Sequence, residues 1–154
     1  KDRVVPPISD LTAHTGYWMR MISNAVSQDF ARKVVAEGVT VAEWSFMRVL
    51  YDEDLIAPST LAHKMGMTKG AISKLAERLR TKGLVARIDN TQHRRAHRLS
   101  LTAEGRAKVP ILASLADEND AEYFGSLTKD EREGLDRTLR ALAARRGLRN
   151  VPVD

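Results

Sequence analysis

PSTLAHKMGMTKGAISKLAERLRTKGLVARIDNTQHRRAHRLSLT, from Pro58 to Thr102, is the stretch on which the fold of this chain turns. Its 45 residues hold 10 Lys and Arg against 2 Asp and Glu, whereas the other residues hold 15 against 18. The formal net charge of +5 is therefore concentrated in one segment. Such a patch suits a polyanion, because each neutralised phosphate releases condensed counterions. Within the stretch, Ser59 to Met65 reads as a short helix stopped at Gly66, and Thr68 as the cap of a second helix running from Lys69 to about Lys82. Ile72, Leu75, Ala76 and Leu79 give that second helix one apolar face, leaving Lys69, Gly70, Ser73, Lys74, Glu77 and Arg78 outward. Two short helices joined by a glycine turn form a helix-turn-helix.

Working outward, Gly83 ends the second helix. Leu84 to Ile88 and His97 to Leu101 then read as strands, with His97, Leu99 and Leu101 alternating against Arg98 and Ser100. The polar loop Asp89 to Ala96 between them makes a basic hairpin, a wing placed directly after the helix-turn-helix. Upstream, Ser9 is expected to cap a long amphipathic helix through Leu11, His14, Trp18, Met21, Ile22, Ala25, Val26, Phe30 and Val34, ending at Gly38. At 1.5 Å per residue that helix would be roughly 42 Å long, more than one small core covers, so its stripe calls for a partner subunit. Thr40-x-x-Glu43 is a capping box that opens a helix through Trp44, Met47 and Leu50 to the acidic Asp52-Glu53-Asp54. Downstream, Thr102 caps a helix that Pro110 is expected to kink, and a break follows at Gly125. A second capping box, Thr128-x-x-Glu131, opens a last helix with Leu135, Leu139 and Leu142 on one stripe and Arg145 and Arg146 favouring its C-terminus.

The expected fold class is α+β and predominantly α: a winged helix-turn-helix with long N- and C-terminal dimerisation helices. Residues 1–38 form the N-terminal dimerisation helix, 39–102 the winged module and 103–154 the C-terminal dimerisation helices, in one intertwined domain. At 154 residues with 43% hydrophobic and 29% charged content, the chain has the material for one globular core. It has no cysteine, so disulfides, thiolate metal sites and thiol redox switches are excluded, and a reducing compartment, the cytoplasm, is expected. No apolar run approaches the roughly 20 residues of a membrane span, and the opening KDRVVPPISDL lacks a signal peptide's apolar stretch. No nucleophile elbow, Gly-rich phosphate loop or zinc-protease motif points to catalysis, and no cofactor is expected.

LAHKMGMTKGAISKLAERLRTKGLVARID, a wing, and then LSLTAEG resemble the MarR family of bacterial winged helix-turn-helix regulators, with its reader helix, Lys-Gly-Leu turn and Leu-Thr-x-x-Gly sequence. The resemblance covers nearly the whole chain. It implies an intertwined homodimer built from the terminal helices, often with a small-molecule pocket beneath them. The family's wing usually carries Asp-x-Arg, with the arginine seven residues before the threonine of Leu-Thr. Here that arginine is Arg95, but His93 stands at the aspartate position, so the acidic brace is replaced while Arg94 and Arg95 keep the charge.

The major groove admits a helix and presents distinguishable base edges, so the face from Lys69 to Arg78 is the expected reader. Candidate contacts to double-stranded DNA are Ser59, Thr68, Lys69, Gly70, Ser73, Lys74 and Arg78, with Arg94 and Arg95 suited to a narrow minor groove. Two-fold symmetry predicts a pseudo-palindromic operator with half-sites about 34–36 Å apart. His14, Tyr17, Trp18, Trp44 and Arg48 are candidates for holding a small aromatic or phenolic acid, although core or interface packing is the more common role of such residues. The expected function is a sequence-specific regulator and homodimeric repressor, and the family resemblance implies its release by such an effector. Two alternatives stand beside it: a metal-responsive winged-helix regulator, disfavoured because His93 and His97 flank a loop with no cysteine or carboxylate cluster, and a non-specific architectural DNA-binding protein. No metal site is expected.

Overall fold

The computed structural model describes residues 2–89 and 97–153. Six α-helices and one two-stranded antiparallel sheet follow in the order α1 (Thr15–Ala36), α2 (Val41–Asp52), α3 (Pro58–Met65), α4 (Lys69–Thr81), β1 (Val85–Asp89), β2 (His97–Leu101), α5 (Ala103–Phe124) and α6 (Lys129–Arg145). Threonines start four of the helices. Thr40 and Thr128 accept from the N–H of Glu43 and Glu131 in reciprocal capping boxes, and Thr68 and Thr102 accept from Ala71 and Gly105. Each oxygen satisfies a backbone donor that the first helical turn leaves open.

Leu50 of α2, Leu61 of α3, Ile72, Leu75 and Leu79 of α4, Leu84 and Val85 at the start of the hairpin, Leu99 and Leu101 of β2, and Val109 and Leu112 of α5 close into one buried cluster with Phe46 and Met47. Fully burying a side chain of this size contributes about 1.5–3 kcal/mol, so the winged module and the first half of α5 share the strongest packing in the chain. The apolar face read into α4 is the face it buries. Gly66 (φ 63) and Gly83 (φ 75) take left-handed conformations that close α3 and α4. The amides of Met67 and Leu84 then reach back to the carbonyls of Ala62 and Leu79, a six-residue closure that aims the chain into the next element.

β1 and β2 pair from Val85↔Leu101 to Asp89↔His97. The first strand thus begins one residue later than its hydrophobic run, because Leu84 is used to seal the end of α4. Ile56 adds a short third edge, donating to the Leu99 carbonyl at 3.0 Å and accepting from the Leu99 amide at 2.8 Å. The start of α5 is pressed against this sheet so closely that a Cβ on Gly105 would lie 2.0 Å from the Leu84 carbonyl oxygen. That clearance is the physical content of Leu-Thr-x-x-Gly.

α1 departs from expectation. Ser9 caps no helix: residues 2–10 carry no regular structure, Leu11–Ala13 make a single 3₁₀ turn, and extended His14 (φ −94, ψ 121) precedes a helix of 22 residues. Its length is therefore about 33 Å instead of 42. The Pro6-Pro7 pair and the absence of a side-chain cap at Asp10 leave nothing to nucleate the extra turns. Trp18 Nε1 donates to the Thr12 carbonyl at 3.0 Å and holds the 3₁₀ turn against α1. α5 continues through Pro110 to Phe124.

Candidate nucleic-acid interface

The outer side of the helix-turn-helix carries the residues singled out in the sequence. Ser59 on α3, Thr68 at the start of α4, and Lys69, Gly70, Ser73, Lys74 and Arg78 along α4 are all exposed. They share one face because the opposite face is consumed by Ile72, Leu75, Ala76 and Leu79. The ion pair on this helix is Arg80 with Glu77 at 3.0 Å; among the described residues no carboxylate pairs with Lys69, Lys74 or Arg78. Unpaired cations on a rigid helix suit an anionic partner, since no internal ion pair must be broken first. A Cβ on Gly70 would meet nothing within 4 Å, so the protein's own packing does not require glycine there.

Two side-chain hydrogen bonds tie the base of the wing to neighbouring segments, and a third contact lies within β1. Ser100 Oγ donates to Asp54 Oδ1 at 2.6 Å, Arg87 Nε to Asp89 Oδ1 at 2.9 Å, and Thr102 Oγ1 to the Gly83 carbonyl at 2.7 Å. Burial, and then the Arg87 charge, hold the His97 imidazole below its ordinary range, so it resists protonation at the root of the hairpin. His93, Arg94 and Arg95 lie outside the described residues.

A cavity of about 620 Å³ opens on the other side of the helix-turn-helix, between α1, α2, α3, α5 and the C-terminal residues 149–153. Trp44, Phe30 and Val49 supply apolar wall, Lys64 and Arg149 cations, Asp120 a carboxylate and Asn119 an amide. Asn119 is buried and already engaged, donating to the Val26 carbonyl and accepting from Lys33 Nζ at 2.9 Å. Lys64 pairs with Glu53. Of the five candidate effector residues, Trp44 alone lines this cavity. Tyr17 and Trp18 stack edge to face, 5.4 Å between centroids, at the exposed beginning of α1, where His14 also sits. Arg48 pairs with Asp52 at 2.9 Å and lies over the Tyr51 ring. Lys64 and Asn119 escaped the sequence reading. Lys64 resembles any other lysine of the basic segment, and Asn119 gains its meaning from a neighbour on α1 far away in sequence.

An exposed basic helix, preceded by a glycine-ended turn and followed by a tethered hairpin, defines a winged helix-turn-helix protein. Residues 37–96 match the family model described as MarR family. The chain is 28% identical over 113 residues to the HTH-type transcriptional repressor MdtR of Bacillus subtilis, a match covering 73% of each. Its fold superposes on an E. coli MarR mutant complexed with operator DNA at a TM-score of 0.71, with 23% identity over 82% of this chain and 91% of that one. It matches Bordetella bronchiseptica BpsR, solved to explain regulation of its DNA binding by 6-hydroxynicotinic acid, at 0.73 with 20% identity over 89% and 98%. The match to the MarR family spans the winged module, and the chain is similar in sequence and fold to winged-helix transcriptional regulators of that family. Among the described residues no helix is long and apolar enough to cross a membrane, and no three His, Cys, Asp or Glu are grouped to hold a metal ion.

Proposed function

We propose that the protein is a homodimeric repressor that binds a pseudo-palindromic double-stranded DNA operator through α4 and releases it when a small aromatic or phenolic acid occupies the Trp44 cavity. The observation that carries the DNA reading is the outer face of α4, where Lys69, Lys74 and Arg78 stand exposed and unpaired around Gly70 and Ser73. In the major groove, Lys69 and Lys74 reach guanine edges or phosphate, Ser73 donates or accepts, and Gly70 lets the backbone approach. Ser59 and Thr68 face phosphate from the two helix starts. Arg94 and Arg95 are assigned to the adjacent minor groove.

The effector half rests on the cavity's chemistry: an aromatic wall at Trp44 and Phe30, and cations at Lys64 and Arg149 for a carboxylate. Lys64 belongs to α3, the first helix of the helix-turn-helix, so an anion drawing it from Glu53 would act on the element that carries the reader. The ligand shifts the equilibrium only by its difference in affinity between the two arrangements. MdtR, named a repressor, and BpsR, whose DNA binding an aromatic hydroxy acid regulates, support this reading by analogy.

Affinity measured across salt concentrations on a duplex enriched from a randomised pool tests the DNA half. Arg95→Ala is expected to weaken all duplexes and lower the salt slope by about one, whereas Ser73→Ala and Lys74→Ala relax preference at particular base pairs by roughly 1–3 kcal/mol. Uniform loss in the α4 variants, or a specific-to-random affinity ratio near one for the parent, overturns base reading. For the effector, 4-hydroxybenzoate and salicylate should quench Trp44 fluorescence in a Trp18→Phe background and lower operator affinity. Quenching without DNA release removes the regulatory role.

A further inference from the structure

Lys82 occupies the position where α4 ends, and its ammonium is turned away from the exposed basic face. Nζ donates to the Gly38 carbonyl at 2.9 Å and to Glu43 Oε1 at 2.9 Å. Gly38 closes α1, and Glu43 stands in the first turn of α2, where the same Oε1 accepts from the Thr40 amide at 2.9 Å. One cation therefore joins the end of α1, the start of α2 and the end of α4. The Glu43 side chain is 1% exposed, and its Oε2 has no hydrogen-bond partner among the described residues. A carboxylate this buried is costly without a counter-charge, so the junction has a strong preference for one geometry. Burial raises the Glu43 pKa, but the hydrogen bonds from Lys82 and Thr40 outweigh it and hold the group below its ordinary value of 4.5.

We propose that Lys82 is a positioning residue for DNA reading: through Glu43 and Gly38 it fixes the pitch of α4 against the dimerisation helix α1. The inference rests on the reading of α4 as the helix that enters the groove. Its force comes from leverage. Lys82 holds the end of α4 opposite Lys69 and Gly70, about 20 Å away at 1.5 Å per residue. A tilt of roughly 10° about Lys82 carries the reading end about 3.5 Å, close to the rise of one base pair. A loosened junction lets α4 accept operators whose half-sites are displaced by a base pair, while its contacts to phosphate persist.

The test compares parent, Lys82→Met, Lys82→Arg and the double variant Glu43→Gln with Lys82→Met. The double variant removes the ion pair without leaving a buried charge alone, and its glutamine still accepts from Thr40. Each is measured on the duplex that the parent enriches from a randomised pool and on the same duplex lengthened by one base pair at its centre. In parallel, the chain's lack of cysteine allows spin labels at Val35→Cys and Glu77→Cys, read by electron–electron distance measurement in dimers diluted with unlabelled protein. The expected result is a roughly tenfold loss of spacing discrimination with unchanged salt slope, the scale of one charge-assisted hydrogen bond, together with a broadened label distance and recovery of both in Lys82→Arg. Unchanged distances and discrimination in the double variant overturn the proposal. A salt slope reduced by about one with unaltered distances also overturns it, by making Lys82 a phosphate contact. A parent that shows no spacing preference removes the two-half-site reading, while the label distances still decide the role of Lys82.

Discussion

Gly70 sits in the second position of α4, where a helix gains stability from almost any other residue. Glycine in a helix costs about 0.5–1 kcal/mol relative to alanine, and no atom lies within 4 Å of where its Cβ would stand. Gly70→Ala is therefore expected to raise the unfolding free energy by about that amount while weakening binding to the enriched duplex, measured by denaturant melts and titration of the same preparation. Increased stability with undiminished affinity would remove the argument for close backbone approach. Glu43 makes the opposite trade, a buried charge kept for its geometry. Because its folded pKa lies below 4.5, the folded state favours the ionised form, and the group's contribution to stability is present above that pH and lost as pH falls below it. Glu43→Gln should flatten the acid limb of the stability curve relative to the parent; parallel curves below pH 4.5 would mean that Glu43 is not a source of that dependence.

At the scale of elements, most of the winged module was legible because its boundaries are written in residues with a local job. Thr40, Thr68, Thr102 and Thr128 cap the helices they were read to cap, and Gly66 and Gly83 end theirs. The outer face of α4 followed from the 3.6-residue period of Ile72, Leu75, Ala76 and Leu79. Periodicity failed at α1, where an apolar stripe through Leu11 and His14 continued past the point at which the backbone turns helical. It could not reveal the third edge of the wing sheet either, since a single pairing residue, Ile56, follows left-handed Leu55 (φ 58) and has no pattern of its own. The cavity was the least legible element. Trp44, Lys64, Phe30 and Asn119 come from four helices and meet through tertiary packing alone, so no spacing along the chain records it.

Over the whole molecule, the strongest packing lies in the winged module and the terminal helices show their apolar residues to solvent. Trp18, Met19, Met21 and Ile22 of α1 are each close to half exposed, and α6 buries no residue while presenting Leu135, Leu139 and Leu142 along one stripe. Three leucines at three- and four-residue spacing on a helix with almost no contact to its own chain need another surface, and a second copy offers the same surface in return. Dimerisation then does more than bury leucine. In the proposed homodimer, binding of the second half-site is intramolecular, which raises affinity by about 10²–10⁴ with no new contact to DNA. Leu139→Glu is placed where it should break that linkage and leave the winged module folded, because Leu139 is 39% exposed and outside the buried cluster. Sedimentation should find a monomer at micromolar concentration, circular dichroism a retained helical signal, and titration at least a roughly hundredfold weaker hold on the full operator. Affinity for a duplex carrying one half-site should change little. A variant that stays dimeric, or that loses half-site and full-site binding by the same factor, would show that α6 is not the device joining the two readers.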